Sequence, residues 1–385
     1  MPMRVGVLGV AALLVACGSD GGNGAAAPSA TTLISHRCRD SEQRSSEPSD
    51  FDAAKLPALR SATLRVGTAV AAARLAESSY ASVVGSQFSS ATPENELKWD
   101  ASEPSPGQFT FTAADAIADF SLAHDLKIKG HTLVWHSQLP AWVSALVGAD
   151  AVREAMTRHI EGVVGHYREK YPGSVVGWDV VNEAVDSPMG VVGLRDSVFL
   201  RELGDGYIAE AFQIARAADP DAVLFYNDFG IEGTSAKANY TYELIKGLVE
   251  AGVPVDGVGF QMHTGPDDRG PSHDEFRTNI QRYVELGLKV NISEMDVNLC
   301  RSSNGTFALE QQRFRYNRIV ETCLEFDACD SVTVWGVTDK YSWLNGFESC
   351  AGAPYQPEPL LFDADYERKP AFWGVYDALA GCYYD

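Results

Sequence analysis

Two short stretches of the chain each run through apolar residues into a carboxylate. "GWDVVNEAV" (177–185) delivers Asn182 and Glu183, and "KVNISEMDV" (289–297) delivers Glu294 with Asp296 two residues on. A β-branched run reads as a buried strand, and a strand with an acid at its tip is a rigid post holding a reactive group. Two carboxylates facing one cleft are the minimal equipment for hydrolysing a glycosidic bond: one, protonated, helps the leaving oxygen depart, and the other, ionised, attacks the sugar or activates water. Such a pair needs unequal surroundings. Glu294 has Asp296 beside it and loops that can receive His263, and an imidazole keeps a carboxylate ionised, whereas Glu183 lies between valines and an alanine, a setting that favours the protonated form. Glu183 is therefore read as the acid/base and Glu294 as the nucleophile, with Asn182 placed to hydrogen-bond a sugar hydroxyl beside the reacting carbon. Either glutamate alone would read as a solvated strand end; the pairing carries the assignment.

Two posts need a frame that brings their tips together. From about residue 60 onward, short β-branched or aromatic runs alternate with longer helical patterns, which is the signature of repeated βα units. The strand segments are "LRVGTAV" (64–70), "SQFSSATPE" (86–94), "KIKGHTLVW" (127–135), "SVVGWDVVNE" (174–183), "AVLFYNDF" (222–229), "GVGFQMH" (257–263), "KVNISEMDV" (289–297) and "SVTVWGVTD" (331–339). Helical periodicity covers 151–171, with Asp150 as a cap, and also 199–219 and 308–326. Eight such units predict an α/β fold, a (β/α)8 TIM barrel forming a single catalytic domain over 55–385. The other architecture is an open doubly wound sheet, but the first βα junction has no GxGxxG and no Walker motif occurs. In a (β/α)8 barrel reactive groups stand where strands end, so Glu183 on the fourth strand and Glu294 on the seventh share one cleft.

The landmarks "TPENELKW" (92–99), "GHTLVWHSQLPAW" (130–142), "WDVVNEAV" (178–185), "YNDF" (226–229), "GFQMH" (259–263), "ISEMD" (292–296) and "VTVWGVTDKYSW" (332–343) follow one another in the order found in glycoside hydrolase family ten, the endo-β-1,4-xylanases, which the chain resembles over about residues 60–380. The resemblance implies a retaining enzyme acting on internal bonds of xylan and xylooligosaccharides, with no cofactor and no metal. It places the acid/base on Glu183 and the nucleophile on Glu294, with His263 as the nucleophile's partner. Glu94, Asn95 and Lys98 match positions that hydrogen-bond the next sugar out, His131, Trp135 and Gln138 line the glycone side, Gln261 and Asn182 reach the reacting sugar, and Trp335 and Trp343 wall the cleft. Sugar rings suit such a set, because their apolar faces pack on indole and their hydroxyls need amide, carboxylate and ammonium partners. Met295 stands where the family's nucleophile motif usually has leucine, and Thr264 opens the sixth-strand loop; neither touches the chemistry. Trp178 reads as core, His124, His159 and His166 as surface or packing residues, and "TGPDDRG" (264–270) as a solvated loop rather than a calcium site. The competing functions are a β-1,4-glucanase on the same barrel and a non-catalytic polysaccharide-binding envelope protein; metal-dependent barrel chemistry would need ligands at several strand ends.

The whole sequence sets the setting. A formal net charge of -21 repels phosphate-rich partners, so nucleic acid is excluded and a neutral or cationic substrate fits. Arg4, the apolar run "VGVLGVAALLVA" and the small residues after it read as an export signal. Its end, "LVAC" (14–17), resembles the lipobox of bacterial lipoproteins, with Cys17 acylated; an ordinary secretory signal is the alternative. The expectation is an exported monomer: a cell-envelope lipoprotein touching membrane only through its lipid anchor, or a secreted protein if the lipobox is unused. Residues 18–54 are small and polar and read as a flexible tether. Six cysteines then remain, Cys38, Cys300, Cys323, Cys329, Cys350 and Cys382, and the short spacing of Cys323 and Cys329 favours a local bridge. The loops at 298–307 and 344–360 each carry a cysteine and can be stapled together.

Overall fold

The computed structural model describes residues 58–266, 270–302, 307–347 and 356–381. Cys17, the tether, Cys38, Cys350 and Cys382, and the centre of the 264–270 loop, lie outside the described residues.

Eight parallel strands alternate with helices: β1 (Arg65–Val70), β2 (Ser90–Pro93), β3 (Lys127–Trp135), β4 (Val175–Asn182), β5 (Leu224–Asp228), β6 (Gly257–Phe260), β7 (Lys289–Val297) and β8 (Cys329–Val334). Each pairs with the next, and β8 also pairs with β1, so the sheet closes into the expected (β/α)8 barrel. The outer ring is α1 (Ser78–Gln87), α2 (Thr112–Ala123), α3 (Ala149–Lys170), α4 (Tyr207–Ala218), α5 (Ala236–Glu250), α6 (His273–Glu285), α7 (Ala308–Leu324) and α8 (Pro370–Leu379). Strands covered by helices outside and packed on each other inside have no solvent face. In β7 only Lys289 is exposed. β3 and β7 have the bounds the sequence pattern predicts.

Other boundaries differ for local reasons. The 199–219 pattern divides into a short helix (Val198–Leu203) and α4, because Gly204 at φ 72° ends the first piece. Gly148, not Asp150, caps α3, and Asp150 sits in its first turn, where its charge faces the positive end of the helix dipole. Residues 86 and 87 close α1 instead of opening β2. β4 ends one residue before Glu183, and β6 stops at Phe260. Met262 then turns at φ 62°, and His263–Thr264 forms its own short ladder with Asp296 and Val297.

The layer between strands and helices holds the core. Trp178 is buried there as expected, opposite Gly130 in the β3–β4 register. A Cβ on Gly130 would lie 2.0 Å from its ring, so only glycine admits the indole. His159 is also buried, stacked on Trp99 at 3.9 Å with Nδ1 3.1 Å from Glu103 Oε2, a packing role. Cys323 and Cys329 form the expected local disulfide, joining the end of α7 to the start of β8. Cys300 is disulfide-bonded too.

Candidate active site

Glu294 stands in the second half of β7, where a register shift against β8 between Ile292 and Met295 re-aims the side chains. The residue is 5% exposed, yet its carboxyl is well provided for. Asn227 on β5 donates from Nδ2 to Oε1 at 2.7 Å, His263 Nε2 lies 3.4 Å from Oε2, and His131 Nδ1 lies 3.9 Å from Oε1. Burial pushes this carboxyl up, but His131, His263 and Asn227 together outweigh it and hold the group at about 2. His263 is itself anchored: its Nδ1 lies 2.8 Å from Asp296 Oδ2, an oxygen that also accepts from Trp343 Nε1 at 2.9 Å. Burial draws the imidazole down, while Asp296 and Glu294 carry it up to about 10, so it is an imidazolium donating at both nitrogens. Behind His131, Asp179 takes His131 Nδ1 at 3.0 Å and pairs with Lys129 Nζ at 2.9 Å.

Glu183 is held differently. It sits just beyond β4 at φ 56°, its N–H donating to the Asn227 carbonyl at 2.8 Å. A non-glycine residue in that region costs about 1–3 kcal/mol and persists only where its neighbours fix it. Gln261 Nε2 donates to Oε1 at 3.0 Å, Asn182 Nδ2 is 3.4 Å from the same oxygen, and His136 Nδ1 is 3.9 Å from Oε2. Burial and the nearby Arg195 cation keep His136 below the usual imidazole range. The Asn182 amide lies 2.9 Å from Asn227 Nδ2 and 3.3 Å from Gln261 Nε2. Three amides thus form a continuous bridge from one glutamate to the other. Turned about its axis, the Asn182 amide presents its oxygen to Trp135 Nε1 at 3.3 Å.

On the β2 and β3 side of the rim, Lys98 is buried, donates to Asn95 Oδ1 at 3.0 Å and lies 4.9 Å over the Trp135 ring. Gln138 Nε2 reaches the same Asn95 oxygen at 3.3 Å. Burial lowers the Lys98 ammonium, against the pull of Glu294, Glu94 and Glu183. Burial likewise pushes Glu94 up to about 7, with Lys98 opposing. Trp335 meets His131 edge to face at 5.1 Å, and Trp343 lies 5.1 Å from the His263 ring.

The catalytic and sugar-binding residues expected from the sequence therefore gather on one side of the barrel, most of them at or beyond strand ends and His131 within β3, while Cys323 and Cys329 lie at the opposite end of β8. Reasoning from sequence missed Asn227, His136, Asp179 and Arg195. Asn227 and His136 lie inside "YNDF" and "GHTLVWHSQLPAW", so their positions were in view, but nothing in either stretch says which side chain reaches across to a glutamate on another strand.

A closed (β/α)8 barrel that joins a firmly ionised carboxylate to a second, differently held one through polar amides, with indoles at hand, defines a glycoside hydrolase. Comparison agrees: a family model, Glycosyl hydrolase family 10, matches residues 56–378, and the chain belongs to that family. It is 40% identical over 304 residues to endo-1,4-beta-xylanase B of Thermotoga neapolitana, covering 78% of this chain and 83% of that one. It is 37% identical over 306 residues to endo-1,4-beta-xylanase B of Paenibacillus barcinonensis, covering 76% and 89%. Among solved structures, xylanase 10B from Thermotoga petrophila in complex with xylobiose superposes with a TM-score of 0.77 at 38% identity, over 83% of this chain and 94% of that one.

Proposed function

We propose that the chain is a retaining endo-β-1,4-xylanase in which Glu294 is the nucleophile and Glu183 the acid/base. The observation that carries this reading is the unequal treatment of two carboxylates across one amide bridge. Glu294 is buried but held at about 2 by two imidazoles and an amide, a permanently ionised group. Glu183 instead meets amides, Gln261 Nε2 at 3.0 Å and Asn182 Nδ2 at 3.4 Å, with the His136 ring 3.9 Å away, and it is the group that gives and takes the proton. In the first step a Glu294 oxygen bonds to the anomeric carbon while the glycosidic oxygen leaves with the proton of Glu183. In the second, Glu183, now ionised, takes a proton from water as the water oxygen bonds to the same carbon and Glu294 departs. Two displacements return the sugar to its starting configuration.

The other residues fit the sugar. Asn182 and Gln261 serve the hydroxyls beside the reacting carbon, and Glu94, Asn95, Lys98, Trp135 and Gln138 form a polar cradle with one indole wall for the next sugar on the glycone side. His131 backs the nucleophile, and Trp335 and Trp343 offer apolar faces. Xylan is the substrate supported by the relatives, which are named as xylanases, and by the xylobiose complex of the Thermotoga petrophila enzyme. Incubation with xylan and with carboxymethylcellulose should release reducing ends mainly from xylan. Equal or faster release from the cellulose derivative would transfer the assignment to a β-1,4-glucanase.

A further inference from the structure

Glu183 is the less securely held of the two glutamates, and its backbone supplies what its carboxyl lacks. The carboxyl's contacts run from 3.0 Å at Gln261 to 3.9 Å at His136, against 2.7 Å from Asn227 to Glu294. Because β4 ends at Asn182 and Glu183 lies at φ 56°, the aim of the carboxyl depends on how the peptides after it are fixed.

They converge on one residue. Arg195, just after the return strand of a small hairpin (Val185–Asp186 with Gly193–Leu194) at the foot of which Glu183 stands, donates from Nε to the Glu183 carbonyl at 2.8 Å. Its Nη1 donates to Asp186 Oδ2 at 3.0 Å, its Nη2 reaches the Val185 carbonyl at 3.4 Å, and its own backbone N–H donates to the Ala184 carbonyl at 2.7 Å. Acceptors from four consecutive residues, 183 to 186, are thus gathered by a single arginine, whose planar fork is already shaped for several acceptors at once. From the other side Val185 N–H faces Asp228 Oδ2 at 3.4 Å, and Asp228 is held by Tyr226 Oη at 2.6 Å and Lys237 Nζ at 2.7 Å. None of these Arg195 hydrogen bonds is to the Glu183 carboxyl itself.

Resting on the assignment of Glu183 as acid/base, we infer that Arg195 is a positioning residue for proton transfer: it fixes the left-handed turn and so aims the Glu183 carboxyl at the glycosidic oxygen. A misplacement of about 1 Å costs on the order of a hundredfold in rate, and in kcat/KM, which covers the reaction up to the covalent intermediate, the loss falls only on leaving groups that need the proton.

That selectivity is the test. Arg195→Met and Arg195→Lys are assayed on aryl β-xylobiosides whose phenols span a wide range of acidity, and on xylan, beside wild type and Glu183→Ala. With the most acidic phenol, which leaves without help, kcat/KM of Arg195→Met should stay within about threefold of wild type; with the least acidic phenol and with xylan it should fall by about tenfold to a hundredfold. Arg195→Lys keeps the cation but not the fork and should fall between, and it carries the test if Arg195→Met does not fold. An equal loss on every substrate, or none, overturns the role of Arg195. Glu183→Ala separates the two ideas: it should show the steepest dependence on phenol acidity. A steep Glu183→Ala beside a flat Arg195→Met removes only the inference, whereas a flat Glu183→Ala removes the acid/base assignment beneath it.

Discussion

His263 shows how one side chain sets the working state of another. The folded Glu294 carboxyl, at about 2, lies below its ordinary 4.5, so its ionisation stabilises the fold fully above about pH 4.5 and less as pH falls toward 2. His263, at about 10 against an ordinary 6.5, has the opposite sign: its charge stabilises fully below about 6.5, and the contribution is lost as pH rises through 10. Between those limits each holds the other charged. His263→Asn removes the cation nearest the nucleophile, and the Glu294 carboxyl should rise by about one to three units, the usual effect of an opposite charge at this range. The acid limb of the kcat/KM profile should move to higher pH by the same amount; an unmoved limb would mean that His131 and Asn227 suffice. The sequence pointed to His263 because an imidazole in the landmark just before that of Glu294 can meet its carboxylate. It gave no sign of Asn227 as the closest donor to Glu294, since that contact exists only once β5 and β7 face each other across the barrel interior.

Strands place such donors through register, and glycines permit the register. Gly259 on β6 sits beside Asn227 of β5 and Asn291 of β7, where an added Cβ would lie 2.3 Å and 2.9 Å from their side-chain oxygens. Gly259→Ala should therefore displace the Asn227 amide from Glu294 and Asn182 together, lowering kcat/KM by about tenfold or more and lowering the melting temperature as overpacked substitutions do. An unchanged kcat/KM in the folded variant would show that the amide bridge is dispensable. The same register explains which elements could be read in advance. β3 and β7 were readable end to end because apolar residues recur as far as the last position of each, Trp135 and Val297. The end of β6 was not, because Gln261 and Met262 leave the ladder at a turn set by the pairing of His263 with Asp296. The break at Gly204 was missed because apolar spacing continues across it, although a left-handed glycine ends the helix.

Taken whole, the barrel converts eight short segments, none of which is active alone, into a rim where groups from β2 to β8 meet. Closure was readable from the count of βα units; the common rim followed from the rule that strand ends carry function in this fold. What sequence could not supply was the inward geometry: the amide bridge between the glutamates, the Asp179 and Lys129 pair behind His131, and the arginine clamp on the turn after β4. In this barrel Glu294 bonds to the sugar before water does, so that two displacements preserve the anomeric configuration. Proton NMR of the first-formed product from β-linked xylan, recorded before mutarotation, tests it most directly. The β-anomer should form first; an α-anomer would rule out both the covalent step and the role given to Glu294.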